Sequence, residues 1–154
     1  ARGMRIVRHP EAKDATDLEL ALDEALALGA RRVVVVASAA GRLDHLLGSL
    51  LLLGHERYAS IELDALVGDA RVHVIRTSRS LAGEPGELVS LFAVGGPATD
   101  VTTLGLAYPL HGEALEPGSS RGTSNRFTER NASVALGTGV LLAVRPGREE
   151  GRLC

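Results

Sequence analysis

Two short stretches of this chain put carboxylates beside cations. The first is Lys13-Asp14, with Asp17 three residues further on; the second is Arg42 with Asp44. Carboxylate oxygens are the hard ligands that magnesium takes, and magnesium shares them with substrate phosphates. Lysine and arginine hold phosphate oxygens through charge-assisted hydrogen bonds. Brought together, this mixture suits a phosphate chain with a divalent metal. Each group also has an ordinary reading. Asp14 and Asp17 can cap a helix and offset its dipole. Asp44 can be the N-cap of the next helix, Arg42 a surface side chain, and His45 a packed helix residue. Lys13 is the single lysine beside sixteen arginines. A compact ammonium on a flexible stem differs chemically from a planar guanidinium.

Such side chains need elements to position them. Residues 33–36 are four consecutive valines, the pattern of a parallel strand covered on both faces. A small-residue turn follows (Ser38, Ala39, Ala40, Gly41), and then an apolar helix opening near Arg42 and Asp44. A strand end feeding a helix N-terminus is where open α/β sheets bind ligands, and the free N–H groups there attract anions. Upstream, residues 5–9 (RIVRH) read as a strand ended by Pro10. Between the two strands, Leu18, Ala21, Leu22, Ala25, Leu26 and Leu28 recur at helical spacing. Thr16 with Glu19 forms a capping-box pattern, and Gly29 is a natural stop. The spacing predicts a helix over 17–28 and a right-handed βαβ unit with a parallel sheet. Parallel strands would put both charged clusters on one edge of that sheet, converging on one cleft.

The chain has 154 residues, enough for one ordinary domain or two small ones. Hydrophobic content of 45% and charged content of 23% point to a soluble globular protein. A net charge of −2 argues against a nucleic-acid partner. The lone cysteine, Cys154, leaves no intrachain disulfide framework and no cysteine zinc site, which fits a reducing cytoplasm. The N-terminal stretch has no signal-peptide core. The longest apolar run, around Leu46, Leu47 and residues 50–53, is too short to span a membrane.

Further along, residues 60–63 and 71–76 look like strands, with Gly68-Asp69 as a turn. Residues 77–86 (TSRSLAGEPG) read as a loop or domain boundary. Beyond them the helical period disappears. Short strand-like runs at 87–94, 101–108, 132–136 and 140–145, separated by Gly- and Pro-rich turns, predict a small antiparallel sandwich. Within this half, residues 118–127 (GSSRGTSNRF) form a long polar loop. It is either a solvated connection or a holder of a small polar ligand by neutral hydrogen bonds.

Four segments together resemble a known family, thiamine pyrophosphokinase (thiamine diphosphokinase). Lys13-Asp14-Ala15-Thr16-Asp17 resembles the family's K-D-x-T-D segment, and Gly41-Arg42-Leu43-Asp44-His45 its G-R-x-D-H motif. Gly105-Leu106-Ala107-Tyr108-Pro109-Leu110 is similar to its G-L-x-Y-P-L stretch, and Thr123-Ser124-Asn125 to its C-terminal S-N segment. Their order and spacing match over nearly all of the chain. The resemblance implies an α/β fold: a Rossmann-like parallel-sheet domain over residues 1–78, incomplete at its N-terminus, which binds ATP and magnesium. A small antiparallel β-sandwich over 79–154 would bind thiamine. It implies a homodimer with active sites at the interface. It implies transfer of a diphosphoryl group from ATP to the hydroxyl of thiamine, leaving AMP. Position by position, Asp17 would hold Mg2+, with Asp14 and Arg42 completing the catalytic set. Lys13 and Arg42 would contact phosphates, supported by Thr16. Asp44, followed by His45, would face the thiamine pyrimidine, and Thr123, Ser124 and Asn125 would complete that pocket from the partner subunit.

The chain also departs from the pattern. Family members carry an earlier G-D-x-D-S acidic motif that helps bind magnesium, and nothing before Arg5 matches it. Gly68-Asp69-Ala70-Arg71 lies too late and lacks the second acid. Ser49 stands where the family often has asparagine. The chain thus looks like a member without its N-terminal third. The expected function is a Mg-dependent thiamine diphosphokinase of the cytoplasm. The alternative is a non-catalytic sensor or scaffold that binds a nucleotide or thiamine diphosphate at a degenerate site.

Overall fold

Thr16 starts the first helix as its spacing predicts: the hydroxyl accepts a hydrogen bond from the Glu19 N–H (3.2 Å). This helix, α1 (Asp17–Ala27), buries Leu22 and leads into β1 (Arg32–Ala37) and then α2 (Leu43–Leu53). A one-turn 3-10 helix (Glu56–Tyr58) precedes β2 (Glu62–Val67) and β3 (Ala70–Ile75). The remainder is strand: β4 (Ser78–Ala82), β5 (Leu88–Ala93), β6 (Ala98–Leu104), β7 (His111–Leu115), β8 (Asn125–Arg126), β9 (Asn131–Ala135) and β10 (Leu141–Arg145). The computed structural model describes residues 14–147. The strand expected at 5–9, and Lys13, lie outside the described residues.

The strands form two sheets. One has six strands in the order β1-β2-β3-β10-β5-β8; the other has four, β4-β9-β6-β7. The parallel sheet expected from the sequence is instead a mixed one. Among the described residues only β1 and β2 pair in parallel, and every other pair is antiparallel. The cause is local: Gly68 and Asp69 join β2 to β3, and so short a turn can only make an antiparallel hairpin. Gly68 takes the left-handed φ of +57° that this turn requires. The six-stranded sheet also runs through the point where two domains were expected to divide, because β10 inserts between β3 and β5.

Strand β10 shows how the layers stack. Its side chains alternate between two apolar clusters: Leu141 and Ala143 in one, Leu142 in the other. The first cluster lies between the sheets and includes Val89 and Leu91 from the six-stranded sheet, Leu81 and Val134 from the four-stranded one, and Phe127. The second packs both helices onto the opposite face, where Leu22 and Leu53 meet Leu63, Ala65, Val72 and Val74. Each fully buried leucine contributes about 1.5–3 kcal/mol relative to exposure.

Two expectations are corrected by this layering. Strand β1 is not covered on both faces. Val33 and Val35 pack under the helices, but Val36 is 77% exposed, and Val34 is half exposed. Both helices sit on the same side, and among the described residues β1 ends the sheet. Residues 77–86 are not simply a loop, because β4 occupies 78–82 and opens the second sheet. The short strands β7 and β8 fall in stretches where no strand was expected.

Candidate functional site

Helix α1 ends four residues before β1 begins, so its start lies near the far end of that strand. That end of β1 leads through residues 38–42 into α2. Both helices therefore open at the same edge of the sheet. A cleft of about 510 Å³ lies between them, with Thr16, Asp17 and Glu19 on one wall and Asp44, His45 and Ser49 on the other. Leu18, Gly48 and Leu52 complete the lining. The convergence expected from the sequence is thus present for Asp17 and Asp44.

The electrostatics of this cleft are mixed. Two helix N-termini offer partial positive charge and free N–H groups to an anion. Three carboxylates, Asp17, Glu19 and Asp44, also line it, and no lysine or arginine does among the described residues. A bare polyphosphate would be repelled by those carboxylates. A polyphosphate carrying a divalent cation would be accepted by both features. Among the described residues, no three His, Cys, Asp or Glu side chains cluster as a metal cage. Magnesium does not require one: it keeps several waters and takes one or two carboxylates plus substrate phosphates. The donor set therefore fits that ion in kind.

Arg42 stands beside the cleft. Its guanidinium grips Asp44 with two hydrogen bonds, Nε to Oδ1 at 3.1 Å and Nη2 to Oδ2 at 2.6 Å. This fork holds the Asp44 carboxyl below the usual carboxylate range, with the His45 and Asp44 backbone N–H groups adding to the effect. Both side chains are mostly exposed, so water screens the pair. The reading of Asp44 as an N-cap is corrected. Arg42 holds the N-cap position with no side-chain cap bond, and Asp44 is the second helical residue. Asp14 lies in the bend before α1 and does not line the cleft. Thr16 lines it, but its hydroxyl is engaged in the helix cap.

The polar loop of the second half stands apart. None of Thr123, Ser124 and Asn125 lines the cleft. The Thr123 hydroxyl donates to the Ser120 carbonyl at 2.6 Å. Asn125 is buried and its amide is occupied: Nδ2 donates to the Tyr108 carbonyl at 2.7 Å, and Oδ1 accepts from the Tyr108 and Arg126 N–H groups, both at 2.9 Å. Asn125 thus clips this loop to the Gly105–Leu110 stretch. Ser124 is exposed and takes a left-handed φ of +55°, uncommon for a residue with a side chain, while its N–H donates to Ser90 Oγ. Such local strain concentrates at functional sites.

Sequence reasoning did not pick out Glu19, Gly48 or Leu52 as cleft residues. Their signal was spacing. Asp44, Gly48 and Leu52 recur every four residues, as do His45 and Ser49, which puts them on one face of α2.

Comparison with known proteins identifies the chain's relatives. A model described as the thiamin pyrophosphokinase catalytic domain matches residues 1–65, and one described as the thiamin pyrophosphokinase vitamin B1 binding domain matches residues 72–141. The chain belongs to the thiamin pyrophosphokinase family. A thiamine pyrophosphokinase of Bacillus subtilis (strain 168) is 25% identical over 135 residues, covering 86% of this chain and 63% of that protein. The crystal structure of the Bacillus subtilis thiamine pyrophosphokinase superposes with a TM-score of 0.79 at 25% identity, covering 89% of this chain and 65% of that one. The structure of thiamin pyrophosphokinase from Geobacillus thermodenitrificans gives 0.75 at 27% identity, covering 92% and 66%. The chain therefore spans just under two thirds of the length of these thiamin pyrophosphokinases. No helix among its described residues is long and apolar enough to cross a membrane.

Proposed function

We propose that the protein is a thiamine diphosphokinase, transferring a diphosphoryl group from ATP to thiamine. The observation that carries this reading is the cleft where the first turns of α1 and α2 present Asp17 and Asp44 together. Family membership supports the same chemistry. In the reaction, the thiamine hydroxyl oxygen bonds to the β-phosphorus of ATP. The bond from that phosphorus to the α,β-bridging oxygen breaks, AMP leaves, and the hydroxyl proton is released. Asp17 would hold Mg2+, which supplies charge neutralisation on the phosphates. The protein's own part is positioning and electrostatics. Arg42 and Lys13 would contact phosphate oxygens through charge-assisted hydrogen bonds, with Asp14 supporting them. Thr16 would act by fixing the start of α1. Asp44 and His45 would face thiamine.

We take residues 1–78 as the ATP and magnesium side and residues 79–154 as the thiamine side. Ser124 is exposed and does not line the cleft of its own chain, so a second copy would bring it there, with Thr123 and Asn125 holding its loop in shape; the reading therefore includes a homodimer with its site at the interface. A cytoplasmic setting fits the single cysteine at position 154. The rival is a non-catalytic sensor or scaffold that binds a nucleotide or thiamine diphosphate at a degenerate site. Incubation with ATP, thiamine and Mg2+ separates the two. The kinase releases AMP and thiamine diphosphate in equal amounts; a sensor binds its ligand and releases no AMP.

A further inference from the structure

A second cavity, of about 530 Å³, lies at the opposite edge of the sheet, where β2 begins and β3 passes into β4. It shares no lining residue with the α1–α2 cleft. Arg76 occupies the two-residue link between β3 and β4 and lines this cavity. Its Nη2 donates to the carbonyls of His55 (2.9 Å) and Leu53 (3.4 Å) at the end of α2. Its Nε is buried and has no hydrogen-bond partner among the described residues. Burial lowers the guanidinium's proton affinity, and no carboxylate offsets that effect among the described residues. A partly desolvated cation without a counter-ion is costly. The neighbouring Arg79 is different, because Glu62 (2.9 Å) and Asp64 (2.8 Å) already neutralise it. Ser60, Thr77, Ser78 and Ser80 also line the cavity, as does Glu62, whose carboxylate is paired with Arg79. A guanidinium with no carboxylate partner among the described residues therefore meets a cavity with four hydroxyl-bearing residues in its lining.

We propose that this cavity binds a phosphate group, free or as a small phosphate monoester, anchored by Arg76. A guanidinium presents several N–H donors in a fork that matches phosphate oxygens, and the hydroxyls supply the remaining donors. The bound group would supply the counter-charge that Arg76 lacks. It would also brace the link between the two sheets against the end of α2.

The test is calorimetric titration of the full chain, free of metal, with inorganic phosphate and separately with methyl phosphate. Binding by either probe is expected, and response to only one identifies the source of the phosphate group. Arg76→Met should weaken binding roughly tenfold or more. That variant also loses the bonds to Leu53 and His55, so Ser78→Glu provides an independent arm. It keeps Arg76 and places a carboxylate in the cavity, and it should weaken binding to a similar degree. Arg130→Ala, which lines neither this cavity nor the α1–α2 cleft, should leave the affinity unchanged. Absence of binding by the native chain, unchanged affinity in Ser78→Glu, or loss in Arg130→Ala alone would overturn the assignment.

Discussion

Asp17 and Asp44 face one cleft from two helices, yet their surroundings differ. Asp44 is forked by Arg42 at its outer edge, whereas Asp17 opens α1 directly after its cap. The proposed roles differ accordingly. A metal's charge stabilisation is worth several kcal/mol, so Asp17→Asn should lower kcat by roughly a hundredfold or more. Steady-state assays at saturating Mg2+ check this, and native turnover would remove Asp17 from the metal. Asp44→Ala should weaken thiamine by roughly tenfold while changing ATP affinity little. Calorimetry with each substrate decides, and equal losses for both would refute the division. At this scale the sequence was informative because motif spacing names residues directly. It was less informative about what each side chain does. Nothing in Thr123-Ser124-Asn125 indicates that Asn125 would be buried with its amide committed to Tyr108.

The elements explain how the cleft forms and which contacts hold it. Thr16 caps α1, so Thr16→Ala should cost about 1 kcal/mol in chemical denaturation. Deeper in, Asp64 on β2 joins the layers. It accepts hydrogen bonds from Arg79 (2.8 Å) on β4, His73 (2.8 Å) on β3 and Arg32 (3.2 Å) on β1. Burial alone would raise the Asp64 carboxyl, but the His73 hydrogen bond and the Arg79 charge outweigh it and hold it below the usual range. Burial pushes His73 below its ordinary value despite Asp64, so a neutral ring donates Nδ1–H to the carboxylate. Both groups refuse protons that the unfolded chain accepts, so stability falls as pH falls. The His73 contribution should begin to fade below about 6.5 and that of Asp64 below about 3.8. Thermal melts across this range should show the decline, and His73→Asn should flatten its upper stage. No decline between neutral pH and pH 4 would contradict the arrangement.

These same elements mark where sequence reading reached its limit. The capping box, the β2–β3 turn and the order of most strands were legible because each is set by local chemistry. The burial of β1 was not. A run of four valines fits a strand covered on two faces, but Val34 and Val36 face away from both helices. Strand β4 was obscured because Arg79 and its flanking serines look like loop residues. Arg79 is in fact drawn inward by Asp64, a partner fifteen residues away that no local pattern announces.

For the whole molecule, helices cover one face of the six-stranded sheet and the four-stranded sheet covers the other. The charged cleft lies at one edge, where β1 hands over to α2, and the strained Ser124 loop lies in the other half of the chain. The central claim is that the α1–α2 cleft holds the metal-bound phosphates. Paramagnetic relaxation by Mn2+–ATP in the labelled protein tests it most directly. Amide signals of residues 16–19 and 44–49 should broaden first and recover when excess Mg2+–ATP is added. Broadening centred elsewhere, with those two helix starts untouched, would contradict the account.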